Sequence, residues 1–168
     1  MTLHRQIHQL AWESEFFGLR SAIVRLQDDG PALDASAFDG WPRVQAKISA
    51  SDTQRLDALQ QFGFRLVEGE ADFALPVPTQ VVNPQAHTAV AGDIVPLRQM
   101  AATMFSQSRF RAPWYPEDAS GRFYAQWIEN AVKGVVDHEC LLFRGINGDI
   151  EAFDSLRQLN TQEARIGL

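Results

Sequence analysis

Arg109-Phe-Arg-Ala-Pro-Trp-Tyr115 gathers two guanidiniums, three aromatic rings and a proline in one short run. Guanidinium forks match phosphate oxygens, and flat rings stack on a base or a sugar face. This segment therefore has the chemistry to hold a diphosphate beside a ring. A second reading of the same residues packs Phe110, Trp114 and Tyr115 onto a core and leaves Arg109 and Arg111 in water. Trp12, Phe16 and Phe17, within Trp12-Glu-Ser-Glu-Phe-Phe-Gly18, pose the same choice and read as core.

Other reactive residues lack companions. His4 and His8 are four apart with no third ligand near them, so no metal site is expected there. His138 and Cys140 alternate onto one face of a strand, but nothing completes a zinc set, and Cys140 reads as a buried structural thiol. Glu68 and Glu70 read as the solvent face of a strand. There is no Gly-x-Ser-x-Gly elbow and no phosphate-binding glycine loop in the 168 residues.

Composition narrows the class. The chain carries 15 Lys+Arg against 21 Asp+Glu, a net charge of −6. Residues 1–88 hold 7 basic and 11 acidic side chains, and residues 89–168 hold 8 and 10, so neither half is a basic arm. That balance argues against a nucleic-acid binder held by phosphate contacts. One Cys rules out an intrachain disulfide framework and suits a reducing cytosol. No apolar run approaches the roughly 18 residues of a membrane span, and the first 18 residues lack a signal-peptide core. A soluble cytoplasmic protein without membrane or nucleic-acid partners is the expectation.

The elements that must position the Arg/aromatic segment follow from periodicity. Gln6–Leu10, Ser21–Leu26 and Arg43–Ser49 read as strands, Ala32–Phe38 as a weak helix, and Trp12–Gly18 as an aromatic turn. Ser51, with Gln54 as its capping-box partner, opens a helix through Leu56 and Leu59 that Gly63 ends; Arg65–Leu75 reads as a strand. Residues 76–88, with Pro76, Pro78 and Pro84 and no charge, read as an extended linker. Beyond it, Thr88–Val90 reads as a strand. The stripe Ile94, Leu97, Met100, Ala101, Met104 and Phe105 predicts one helix, with Pro96 in its first turn. Pro116–Val132 predicts another. Cys140–Arg144, Ile150–Leu156 and Ala164–Leu168 read as strands, the first two joined across Asn147-Gly148.

A strand, two helices joined by a loop, a hairpin and a strand ending Arg165-Ile-Gly-Leu168 resemble the first half of a GNAT acetyltransferase domain. Ser51–Leu75 is similar to the closing half of that fold. Trp12–Gly18, Arg43–Ile48, Leu56–Gln61, Ser106–Tyr115 and Gly121–Asn130 resemble the enterobacterial dTDP-4-amino-4,6-dideoxygalactose (dTDP-fucosamine) N-acetyltransferases, and the resemblance covers essentially the whole chain. It implies an α/β (α+β mixed sheet) fold: a partial GNAT-like N-terminal domain (1–75), the linker (76–88) and the N-terminal portion of a GNAT domain (89–168).

The resemblance further implies a homodimer that transfers acetyl from acetyl-CoA to the 4-amino group of the dTDP-amino sugar in enterobacterial common antigen biosynthesis, without a metal. Backbone N–H groups of a splayed strand would hold the acetyl oxygen, and a tyrosine would protonate the thiolate. Arg109 and Arg111 are expected toward the acceptor's phosphates and Trp114 or Tyr115 toward a ring. Leu168 is expected at the acetyl-CoA site. Because Leu168 is the last residue, the family's pyrophosphate loop and catalytic tyrosine are expected beyond it, and the chain reads as an incomplete, inactive form that either self-associates through an uncovered sheet edge or is poorly soluble. Two rivals stand beside this: a product that binds nucleotide sugar without transferring, and a GNAT acting on another amine. Asp154 falls where the family is apolar, so it is expected at an edge or with a partner.

Overall fold

The structure is a computed structural model and describes residues 3–77, 85–105 and 107–168. Two compact units make up the chain, Met1–Ala71 and Asp72–Leu168. The architecture is mixed α/β, as the pattern of elements predicts. No helix among the described residues is long and apolar enough to cross a membrane.

The first unit is built from β1 (His4–Gln9), α1 (Ala11–Phe17), β2 (Ser21–Gln27), a 3-10 turn at Ala35–Phe38, β3 (Arg43–Ala46) and α2 (Thr53–Gln61). Its sheet runs β1-β2-β3, antiparallel in the first pair (Ile7 opposite Val24) and parallel in the second (Ala22 opposite Val44). Val24, Leu3, Leu33, Ala37 and Leu59 form its core, with Ile7, Val44 and Phe64 against them.

Several expectations change here. Trp12–Phe17 lies in α1 rather than in a turn. The Ser14 hydroxyl donates to the Leu10 carbonyl (2.7 Å), and Gly18 closes α1 in the left-handed region at φ 63°. Asp52, not Ser51, caps α2 by accepting from the Arg55 N–H at 3.1 Å, and Gln54 plays no reciprocal part. Gly63 follows the helix at φ 86°, as expected. Arg65–Leu75 forms no strand: apolar alternation makes one only where a neighbour completes the ladder, and among the described residues no strand is laddered to it. Leu66 and Leu75 are 77% and 83% exposed instead.

The second unit contains β4 (Ala86–Thr88), a 3-10 turn at Ala91–Asp93, α3 (Ile94–Met104), α4 (Ala119–Val132), β5 (Glu139–Arg144), β6 (Ile150–Gln158) and β7 (Ala164–Ile166). All its strand pairs are antiparallel, in the order β4-β5-β6-β7. The linker expectation for 76–88 falls on residues 78–84, which lie outside the described residues, and on 86–88, which are strand. The expected Thr88–Val90 strand starts and stops earlier, because the Val90 N–H is taken by the Asp93 carboxylate (3.0 Å) at the turn into α3. Leu97, Ala101, Ile128, Ala131, Cys140 and Leu142 form the core between the two helices and one sheet face. Arg98 of α3 pairs with Glu129 of α4, which Lys133 also holds at 2.5 Å. These cations and burial oppose each other at Glu129: the Lys133 hydrogen bond is the largest influence, and the carboxyl sits below its ordinary pKa.

Candidate functional site

The segment joining α3 to α4 divides its side chains between core and surface. Phe110 and Tyr115 are buried, Trp114 and Arg109 are half-buried, and Arg111 is exposed. The Phe110 N–H donates to the Ser108 hydroxyl (3.2 Å), and the Trp114 and Tyr115 N–H groups both donate to the Arg111 carbonyl (3.1 and 3.0 Å). A cis peptide joins Ala112 to Pro113.

Phe110 meets Phe123 of α4 at 4.3 Å and Tyr115 edge-on at 5.3 Å. Phe123 passes the contact on to Tyr124 and Trp127; Tyr124 stacks on Phe105 at 4.4 Å, and Phe105 reaches Phe153 of β6. A row of rings thus anchors the loop from α4 to the sheet. The two guanidiniums lie over rings of this loop, Arg109 over Phe110 at 4.3 Å and Arg111 over Trp114 at 4.8 Å. Arg111 also donates through Nη1 to the Ala112 carbonyl at 3.2 Å, and a guanidinium stacked on a ring keeps the planar donor fork that suits planar anions. The two sequence readings of the loop therefore each describe part of it: Phe110 and Tyr115 pack inward, while Arg111 and Trp114 retain exposed surface.

The end of β7 is the second place where chemistry can be supported. Leu168 lies past a break in pairing. The Gly167 N–H donates to the Ser155 carbonyl at 2.7 Å, and the Ser155 N–H donates to the Leu168 carbonyl at 3.3 Å. Two residues thus oppose one, which is the pattern of a β-bulge. The expected Ala164–Leu168 strand consequently ends at Ile166. Leu168 is partly buried against the core of the second unit. Bulges bend a strand and re-aim the residues beyond the bend, and they recur beside active sites.

Beneath the bulge lies Asp137, a group sequence reasoning missed. Burial alone would raise its pKa, but hydrogen bonds from Trp127, Ser155 and Arg157, together with the guanidinium charge, outweigh that and hold it below the ordinary value. In sequence it is one acid of a polar run, indistinguishable from a solvated loop Asp.

Asp154 corrects an expectation. It sits opposite Leu141 on β6, an interior strand, and among the described residues it has no hydrogen-bond partner. It is tolerated because its face is the one turned away from Phe153, Ser155 and the helices, where it is only half-buried. Burial still raises its pKa. Cys140 is buried, and burial, reinforced by the charges of Asp154, Asp137 and Asp93, pushes its thiol up to about 11. His138 is exposed and its Nδ1 accepts the Gln158 N–H at 3.2 Å. Glu70 pairs with Lys47 rather than lining a strand.

No protein-family model matches the chain. The chain is similar to the dTDP-fucosamine acetyltransferase of Escherichia coli O6:H1 (strain CFT073), with 58% identity over 168 residues, which is all of this chain and 75% of the relative.

Proposed function

The chain belongs to the dTDP-fucosamine acetyltransferase family, and from that membership and the geometry of the second unit we infer how its residues share the work of N-acetyl transfer. It is an N-acetyltransferase that acts on the dTDP-amino sugar, with acetyl-CoA as co-substrate. The observation carrying this is 58% identity running the whole length of the chain, far too extensive to reflect a shared fold alone.

In the transfer, the neutral 4-amino nitrogen attacks the thioester carbonyl. A C–N bond forms, the C–S bond breaks, the nitrogen loses a proton and the departing thiolate gains one. Arg109 and Arg111 act on the acceptor's diphosphate, with the Trp114 ring beside the base or sugar. Tyr115, being buried, works from below by holding Phe110 and hence the loop. Leu168 marks the donor side, where the bulge turns the chain out of β7. The support for these roles is side-chain type, the guanidinium–ring geometry and the bulge.

Three finer expectations belong to the same reading: membership of the GNAT superfamily, a homodimeric working unit, and a cytoplasmic place in enterobacterial common antigen biosynthesis. Their support is the family resemblance.

The test uses the protein as its gene encodes it, mixed with acetyl-CoA and dTDP-4-amino-4,6-dideoxygalactose. Expected is one free CoA thiol per N-acetylated sugar nucleotide, seen by mass spectrometry. Thiol release without acetylated sugar, or acetylation of unrelated amines at equal efficiency, would refute the assignment.

A further inference from the structure

Asp137 lies in the connection between α4 and β5, and its side chain has no exposed surface. Its Oδ2 accepts from the Trp127 indole N–H (2.8 Å) and the Ser155 hydroxyl (2.7 Å). Its Oδ1 accepts from Arg157 Nε (3.0 Å) and is ion-paired with Nη2 of the same guanidinium (2.9 Å). Three donors and the guanidinium charge, from α4 and β6, thus converge on two oxygens. An amide could supply only one accepting oxygen to them, so a carboxylate is the group this arrangement requires.

Gly167 rests directly on that cluster. A Cβ built there would stand 2.5 Å from the Ser155 hydroxyl oxygen and 2.8 Å from Asp137 Oδ2. Ser155 is therefore bonded on two sides: its hydroxyl is drawn to Asp137, and its backbone holds both residues of the bulge. Stability alone would be served as well by apolar residues filling the same space, since burying an ion pair carries a desolvation cost. What the carboxylate adds is direction.

We propose that Asp137 is a positioning residue for the acetyl donor: acting through Ser155, it fixes the bulge at Gly167–Leu168 and so the line along which the chain leaves β7. The inference rests on the acetyl-transfer reading above. It separates the two substrates by distance along the contacts: Asp137 meets the bulge directly through Ser155, and reaches the acceptor loop at 109–115 only through Trp127, Phe123 and then Phe110.

Two substitutions test it in the protein as its gene encodes it. Asp137→Asn removes the charge, and Gly167→Ala keeps Asp137 but pushes the bulge off its seat, so the idea does not depend on one variant folding. Each should raise the KM for acetyl-CoA by about tenfold or more while the acceptor KM stays within about twofold. Hydrogen exchange at the Gly167 amide should accelerate by about tenfold or more in both. The double variant should lose less than the product of the two single effects, because both act on one contact. Equal rises in both KM values, unaltered exchange at Gly167, or multiplicative effects overturn the inference and leave acetyl transfer standing. An unsubstituted protein that makes no acetylated sugar removes both.

Discussion

Gly121 of α4 lies so close to Ala102 of α3 that a Cβ on it would stand 2.8 Å from the Ala102 carbonyl oxygen. A backbone atom cannot swing aside, so the helices would have to separate. Alanine is the better helix former by about 1 kcal/mol, but overpacking of this kind costs about 1–3 kcal/mol. Gly121→Ala should therefore lower stability, with a melting temperature reduced by roughly 2–6 °C. A calorimetric scan showing an unchanged or higher melting point would contradict the close crossing.

The guanidiniums of Arg109 and Arg111 are held over Phe110 and Trp114. Replacing both arginines by alanine should raise the acceptor KM about tenfold or more, as expected when charge-assisted bonds to phosphate are lost. The acetyl-CoA KM should move by less than about twofold. The ring contacts themselves are worth about 0.5–1 kcal/mol at such sites, so melting should change little. Steady-state kinetics with each substrate varied decides this, and equal shifts would defeat the acceptor assignment.

Asp154 is penalised by burial without a hydrogen-bond partner among the described residues, and its pKa is raised. Below the ordinary carboxylate pKa it is neutral folded and unfolded, and it costs nothing. As pH rises through that value and past the folded one, the unfolded chain gains by ionising first, and the folded state loses stability progressively. Asp154→Asn should thus raise the melting temperature at pH 7 by roughly 1–3 °C and leave it unchanged near pH 3. A gain of the same size at both pH values would exclude desolvation as the cause.

Cys140 should be inert in the native protein. At pH 8 a thiol pushed up to about 11 is ionised in only about one molecule in a thousand, and the residue is 2% exposed. Iodoacetamide should leave the folded chain unlabelled for as long as it takes to alkylate the denatured chain completely. Mass spectrometry of both samples checks it; rapid native labelling would mean that β5 opens.

The residues alone determined whatever short-range physics dictates. Leu97 and Ala101 fall on one helical face and are buried together, Cys140 and Leu142 alternate inward, and Gly63 and Gly148 occupy the left-handed conformations their positions require. The Arg/aromatic loop was visible through side-chain type, because guanidiniums and rings carry their chemistry wherever they sit. Only the tertiary structure could decide that Trp12–Phe17 is a helix, that Arg65–Leu75 is not a strand, and that Asp137 gathers its donors. The donors to Asp137 lie 10, 18 and 20 residues away, on a helix and a strand. No local period connects such positions, so a carboxylate that reads as loop in one dimension becomes a fixed point only once α4, β6 and the end of β7 have converged on it.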